Sequence, residues 1–106
     1  MRSILNPVTV LLLAASVAAP VSAQSDGADI YKAKCALCHG AAGLGDTPAG
    51  KALKAASFKD PVIIKATDDE LTAAVKTGKG KMPPNNGRLT DAQITAAIAY
   101  IRTLQK

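Results

Sequence analysis

The sequence is poor in the large side chains that usually fill a protein core. It has no tryptophan, one phenylalanine and two tyrosines among 106 residues. Aromatic side chains normally dominate the energetics of a small core, so their scarcity indicates that another body fills the interior. The scarcity also disfavours a nucleic-acid surface, which would stack bases on aromatic rings and would need a dense basic patch. The lysines are instead scattered along the chain.

Histidine and cysteine are equally scarce, and the few that exist stand together. The one histidine and the two cysteines all lie in Cys35-Ala36-Leu37-Cys38-His39. The spacing C-x-x-C-H is the attachment signature of a c-type haem. Two thiols add to the two vinyl groups of one haem, and the adjacent imidazole is then held where it can bind the iron. We therefore predict one covalent haem c, attached through Cys35 and Cys38, with His39 as an axial ligand.

A disulfide, a thiol–disulfide exchanger and a zinc site all fit this motif less well. A structural disulfide would close a loop of very few residues and would stabilise little, because the entropic gain grows with loop length. A thiol–disulfide exchanger would need a strand–helix–strand setting. A zinc site would have only three ligands in awkward geometry, with no fourth group nearby in sequence.

The first part of the chain predicts an export signal. Arg2 precedes an apolar run at residues 8–19, and small side chains follow at 21–23. This pattern is typical of a secretory signal peptide, here cleaved after residue 23. The apolar run is too short to span a bilayer comfortably, which disfavours a permanent anchor. We expect residues 24–106 to form one exported domain, in the periplasm, with no stable membrane insertion.

Periodicity and capping motifs predict about four helices and no strand pattern of any length. The first helix is expected over 26–38, capped by Ser25 or Asp26, and the second over 49–57. Residues 58–66 include the β-branched run Val62-Ile63-Ile64 and are expected to be extended.

The other two helices open at capping boxes, in which a threonine and a Glu or Gln three residues later cap the first turn. These boxes are 67–70 and 90–93, and the helix that follows the first box is expected to stop at Gly78. Apolar residues recur at periods of three and four along the last helix: Ile94, Ala97, Ile98, Ile101 and Leu104.

Haem iron has a second axial position, and Met82 is the candidate for it. The other methionine is Met1, which leaves with the signal peptide. A thioether is a soft ligand that raises the reduction potential, and the prolines after Met82 would fix its backbone. Gap-filling in the core is the ordinary use of methionine. If Met82 fills the core instead of binding the iron, the iron would be five-coordinate and could bind small gases or peroxide.

With C-x-x-C-H near the start, a Met-Pro loop and a closing amphipathic helix, the chain resembles a class I cytochrome c of the small bacterial type. The resemblance covers essentially all of residues 24–106. It implies a small all-α fold of about four helices wrapped round one covalently bound haem. Family members carry a Gly eight residues and an aromatic four residues before the first haem Cys. The matching Gly27 and Tyr31 are expected to contact the last helix, near Tyr100.

The resemblance also implies partners for the haem. The family's proximal imidazole donates to a proline carbonyl, and Pro48 is the candidate here. The tryptophan that holds a propionate in the longer mitochondrial type is missing. Asn85, Asn86 and Arg88 are then the candidate propionate partners.

We expect a monomeric electron carrier, not an enzyme, that shuttles single electrons between redox proteins such as those of a respiratory chain. The net charge is +5 for the whole sequence and +4 once Arg2 leaves with the signal peptide, which favours partners with acidic docking surfaces. Lys76, Lys79 and Lys81, near the Met82 loop, are expected to steer them. The alternatives are a five-coordinate gas sensor or peroxidase-like enzyme, and a haem subunit of a larger redox complex.

Overall fold

The computed structural model describes residues 23–106, so the predicted signal peptide lies almost wholly outside the described residues. That part of the chain is all-α, as predicted, and its only β-type pairings are two isolated bridges. None of its helices is both long and apolar enough to cross a membrane. It contains six helices instead of about four: α1 (Ala23–Lys34), α2 (Ala36–His39), α3 (Pro48–Leu53), α4 (Pro61–Lys65), α5 (Asp68–Thr77) and α6 (Asp91–Leu104).

The first and last helices pack against each other at Gly27. A Cβ atom at this position would lie 2.1 Å from the carbonyl oxygen of Ala96, so only glycine permits the contact. One turn later, the Tyr31 ring is 1% exposed and lies 5.2 Å from the Tyr100 ring, centroid to centroid. The expectation that Gly27 and Tyr31 contact the last helix near Tyr100 is therefore confirmed.

Helix α6 also supplies most of the core. Its predicted stripe is buried at Ile94, Ala97, Ile98 and Ile101. The predicted capping box is complete: the Thr90 hydroxyl oxygen accepts from the Gln93 N–H at 3.1 Å, and the Gln93 side chain accepts from the Thr90 N–H at 2.9 Å. Both orphan N–H groups are thereby satisfied, which fixes the helix start.

The first helix differs from the prediction at both ends. Ser25 and Asp26, the predicted caps, lie inside α1, which begins at Ala23. The predicted span to residue 38 is interrupted at Cys35, whose φ of −118° departs from helical geometry. The turn is nevertheless kept, because the Cys35 N–H donates to Tyr31 O at 2.8 Å and the His39 N–H donates to Cys35 O at 3.0 Å.

Two further predictions, for the segments that contain α3 and α4, are wrong. Helix α3 begins earlier than predicted, with Thr47 as its cap, and ends earlier, at Leu53. The next residue, Lys54, is left-handed with a φ of 55°. The segment expected to be extended contains α4 instead. The Asp60 carboxylate accepts from the Val62 N–H at 2.9 Å, and Pro61 occupies the first helical turn. A capped, proline-initiated turn outweighs the β preference of the three residues that follow it.

Candidate haem-binding site

All four residues predicted to hold the haem line one cavity. Cys35, Cys38, His39 and Met82 face a space of about 700 Å³. Its size falls within the range of ordinary cofactor sites, roughly 300–1,000 Å³. Helices α4, α5 and α6 supply its apolar walls: Ile63, Leu71, Ala74, Val75, Ile98 and Ile101. The fold thus brings the distant Met82 loop to the C-x-x-C-H motif.

The two cysteines enter the cavity from the junction of α1 and α2. Cys35 packs against the buried core, next to Tyr31, and both Cys35 and Cys38 are partly exposed. Both are free thiols. Burial raises the pKa of the Cys35 thiol to about 11. The two sulfurs are therefore available for thioether bonds and are not tied to each other.

His39 is fixed by a carbonyl that the sequence did not indicate. Its Nδ1 lies 3.0 Å from the carbonyl oxygen of Ala56. A carbonyl only accepts, so Nδ1 carries the proton and Nε2 has the free lone pair that a metal requires. The prediction that Pro48 provides this acceptor is wrong, because Pro48 opens α3 behind the capping residue Thr47. Thr47 in turn donates to Leu37 O at 2.6 Å.

Ala56 reaches His39 because the chain reverses after α3. Lys54 adopts a left-handed conformation, and the Ala55 N–H then donates to Gly50 O at 2.8 Å. The following segment passes close to Gly45, where a Cβ would lie 2.5 Å from Ala55 O. This crossing directs the Ala56 carbonyl towards the imidazole.

Met82 is held by a tight loop between α5 and α6. Lys79 and Met82 exchange backbone hydrogen bonds, at 3.2 Å from the Lys79 N–H and 2.9 Å from the Met82 N–H. Gly78, with a φ of 78°, starts the loop, and a Cβ there would lie 2.6 Å from Met82 O. The Asn85 N–H anchors the far side by donating to Val75 O at 3.0 Å. The Met82 side chain is half-buried and packs against the core.

The charged residues that line the cavity are all cationic. We call them the cationic rim: Lys34, Lys54, Lys79, Lys81 and Arg88. No carboxylate lines the cavity within the described part of the chain. Of the residues expected near the haem edge, Lys76 is absent from the lining and pairs with Asp91 at 2.9 Å. Among the candidate propionate partners, Asn85 and Arg88 line the cavity and Asn86 does not.

These donors fit haem c better than they fit the rival groups. One apolar cavity, bordered by the cationic rim, contains two free thiols, an imidazole with a free Nε2 and a thioether. Within residues 23–106 no three histidine, cysteine or carboxylate side chains lie in an arrangement that could hold a metal ion, which disfavours a zinc site. A thiol–disulfide exchanger would need strands beside the motif, and the same residues form none.

Comparisons with known proteins agree with this assignment. The family described as "Cytochrome C oxidase, cbb3-type, subunit III" matches residues 22–101. Cytochrome c6 of Leptolyngbya boryana is 38% identical over 79 residues, which span 71% of this chain and 85% of the relative. Cytochrome c6 of Thermosynechococcus vestitus is 33% identical over 91 residues, spanning 86% and 79%. The solved c-type cytochrome KustC0563 matches with a TM-score of 0.70 at 29% identity, covering 76% of this chain and 99% of that one. The chain therefore belongs to the small class I c-type cytochromes.

Proposed function

We propose that this c-type cytochrome carries single electrons between redox proteins, with one haem c attached through Cys35 and Cys38 and held axially by His39 and Met82. Like its cytochrome c6 relatives, it is an electron-transfer protein and not an enzyme. The observation that carries the ligand assignment is the presence of Met82 in the cavity that also contains the C-x-x-C-H motif. When bound, the haem would supply the one-electron Fe(III)/Fe(II) couple.

The protein's own residues would orient the ligands and close the metal to other molecules. The hydrogen bond from His39 Nδ1 to Ala56 O fixes the orientation of the imidazole and leaves Nε2 to bind the iron. The tight Met82 loop holds a soft sulfur, which favours reduced iron. With both axial positions filled by side chains, gases and peroxide would be excluded.

Replacement of Met82 by Ala tests this ligand assignment. We expect the wild-type protein to be low-spin and to show a sulfur-to-iron charge-transfer band at the red end of its ferric spectrum. Met82→Ala should lose the band and bind carbon monoxide readily in the reduced state. Lys81→Ala, a neighbouring change that leaves the sulfur intact, is the control. A band that persists in Met82→Ala would contradict the assignment, and a high-spin wild-type spectrum would favour the five-coordinate sensor or peroxidase-like alternative.

We further propose that the cationic rim docks on acidic surfaces of partner proteins. Leu37 and Leu53 are 77% and 43% exposed and line the same cavity. Apolar contact between these side chains and the partner would therefore accompany the charge attraction. Reduction rates by an acidic partner should fall as ionic strength rises. Lys81→Glu should slow the reaction more than Lys65→Glu, which makes the same charge change away from the lining. Equal effects of the two substitutions would refute a localised docking surface.

Export and processing complete the proposal. Residues 1–23 are proposed to direct the chain across the cytoplasmic membrane and to be removed there, releasing a periplasmic monomer. Mass spectrometry of the exported protein should give residues 24–106 plus one haem. A mass equal to the amino acids alone, from a host able to attach haem, would overturn the cofactor assignment.

A haem subunit of a larger redox complex is the second candidate, and the matching family's description as an oxidase subunit favours it. The two candidates differ in what accompanies the protein in its source. A free carrier should leave gently broken cells in the periplasmic fraction and elute as a monomer. A subunit should remain with detergent-solubilised membranes and co-purify with other haem proteins.

A further inference from the structure

Phe58 lies face to face with the His39 imidazole, and we propose that it is a positioning residue that sets the orientation of this ring about its metal. The two ring centroids are 4.6 Å apart, and the ring planes differ by 20°. Phe58 is 7% exposed and also lines the cavity. The inference rests on the proposed function, because it takes His39 to be an iron ligand.

Phe58 is itself fixed from several sides. Its N–H donates to Gly43 O at 2.8 Å, and its carbonyl accepts from the Gln105 side-chain amide at 3.2 Å. The Tyr31 ring packs edge-on against it, with centroids 6.1 Å apart. A Cβ at Gly43 would lie 2.5 Å from Phe58 Cδ2, so this glycine is required for the position of the ring. Elements from the start, middle and end of the described chain thus converge on one aromatic side chain.

Two contacts from one short segment then determine the imidazole's position. The Ala56 carbonyl receives the Nδ1 proton, which fixes one point on the ring. One hydrogen bond leaves the plane of the ring free to tilt. The stacked face of Phe58 restricts that tilt, because stacking of aromatic rings is favourable only over a limited range of geometries. With haem bound, the direction of the imidazole plane would govern its overlap with the iron d orbitals, so Phe58 would affect the metal's electronic state without touching it.

The test replaces Phe58 by a side chain of similar bulk without a flat face. Phe58→Leu and Phe58→Met, both loaded with haem, should keep a low-spin spectrum but shift the ferric g values and the paramagnetically shifted haem methyl proton resonances. If Phe58→Leu fails to retain haem, the more adaptable methionine variant carries the test. Ile94→Val is the control, because Ile94 is fully buried but outside the cavity lining.

A merely structural role for Phe58 would lower the unfolding midpoint of its variants and of Ile94→Val alike, with unchanged magnetic spectra. That result would overturn the inference and leave the proposed function intact. A wild-type protein that shows no histidine ligation would instead remove the proposed function, and the inference with it. Shifts confined to the Phe58 variants would establish the positioning role.

Discussion

Substitution of Gly27 by Ala should destabilise the protein strongly. The new methyl group would lie 2.1 Å from Ala96 O and 3.1 Å from Tyr100 Cβ. The oxygen belongs to helical backbone, so α1 and α6 must move apart. Overpacking costs roughly 1–3 kcal/mol, and this contact lies at or above the upper end. Replacement of a helical glycine by alanine stabilises the helix by about 1 kcal/mol. The free energy of unfolding should therefore fall by about 2 kcal/mol in total. For a domain of this size, that lowers the unfolding midpoint by roughly 8–16 °C.

Thermal unfolding of the haem-loaded ferric protein measures this loss, followed by circular dichroism and by the haem absorbance. Lys32→Ala, on the exposed side of the same helix, is the matched control and should leave the midpoint nearly unchanged. An unchanged midpoint in Gly27→Ala would show that the helices do not meet through this glycine. A raised midpoint would show that helix propensity outweighs the clash, and would refute the close approach.

Three smaller effects should be measurable by urea denaturation. Burial raises the pKa of Tyr31, so the folded state keeps a proton that the unfolded state loses near pH 10. The free energy of unfolding should therefore fall as the pH rises. Between pH 10 and 11 it should fall by about 1 kcal/mol more in the wild-type protein than in Tyr31→Phe, and equal falls in the two proteins would contradict this. Arg102 pairs with Asp68 at 2.9 Å and donates to backbone carbonyls between residues 63 and 66. Arg102→Ala should lower the free energy of unfolding by about 1–3 kcal/mol. Asp68→Ala should lower it by less than about 1 kcal/mol, because that carboxylate is exposed. Equal losses would instead assign the effect to the ion pair. Thr90→Ala should cost about 1 kcal/mol through loss of the cap shared with Gln93, and an unchanged midpoint would refute that role.

Local signals predicted the parts of the fold that depend on neighbours in sequence. The threonine caps of α5 and α6 and the stop at Gly78 all follow from side chains within a few residues. The same logic explains the error at α4. Its three β-branched residues each disfavour a helix by less than about 0.7 kcal/mol. The cap at Asp60 contributes about 1 kcal/mol, and Pro61 is already shaped for a first helical turn.

The surroundings of His39 depend on the tertiary fold, and no local signal marks them. The acceptor for Nδ1 is a backbone carbonyl, a group that every residue carries, so the identity of Ala56 gives no indication of its role. Its placement follows from the left-handed turn at Lys54. The stacking of Phe58 on His39 likewise depends on where distant segments cross, so a phenylalanine in a polar stretch reveals nothing about a partner 19 positions earlier. The motif predicts which atoms bind iron, and the fold determines how those atoms are oriented.

The pairing of α1 with α6 has a consequence for the order of events during folding. Helix α1 lies before the C-x-x-C-H motif in sequence and its partner α6 lies after the Met82 loop, so the two halves of their contact come from opposite sides of the cavity-lining segments. Until α6 has folded, Gly27 and Tyr31 have nothing to pack against, and α1 does not hold the neighbouring cysteines in place. Docking of the last helix is therefore the step of folding that fixes where the C-x-x-C-H segment lies.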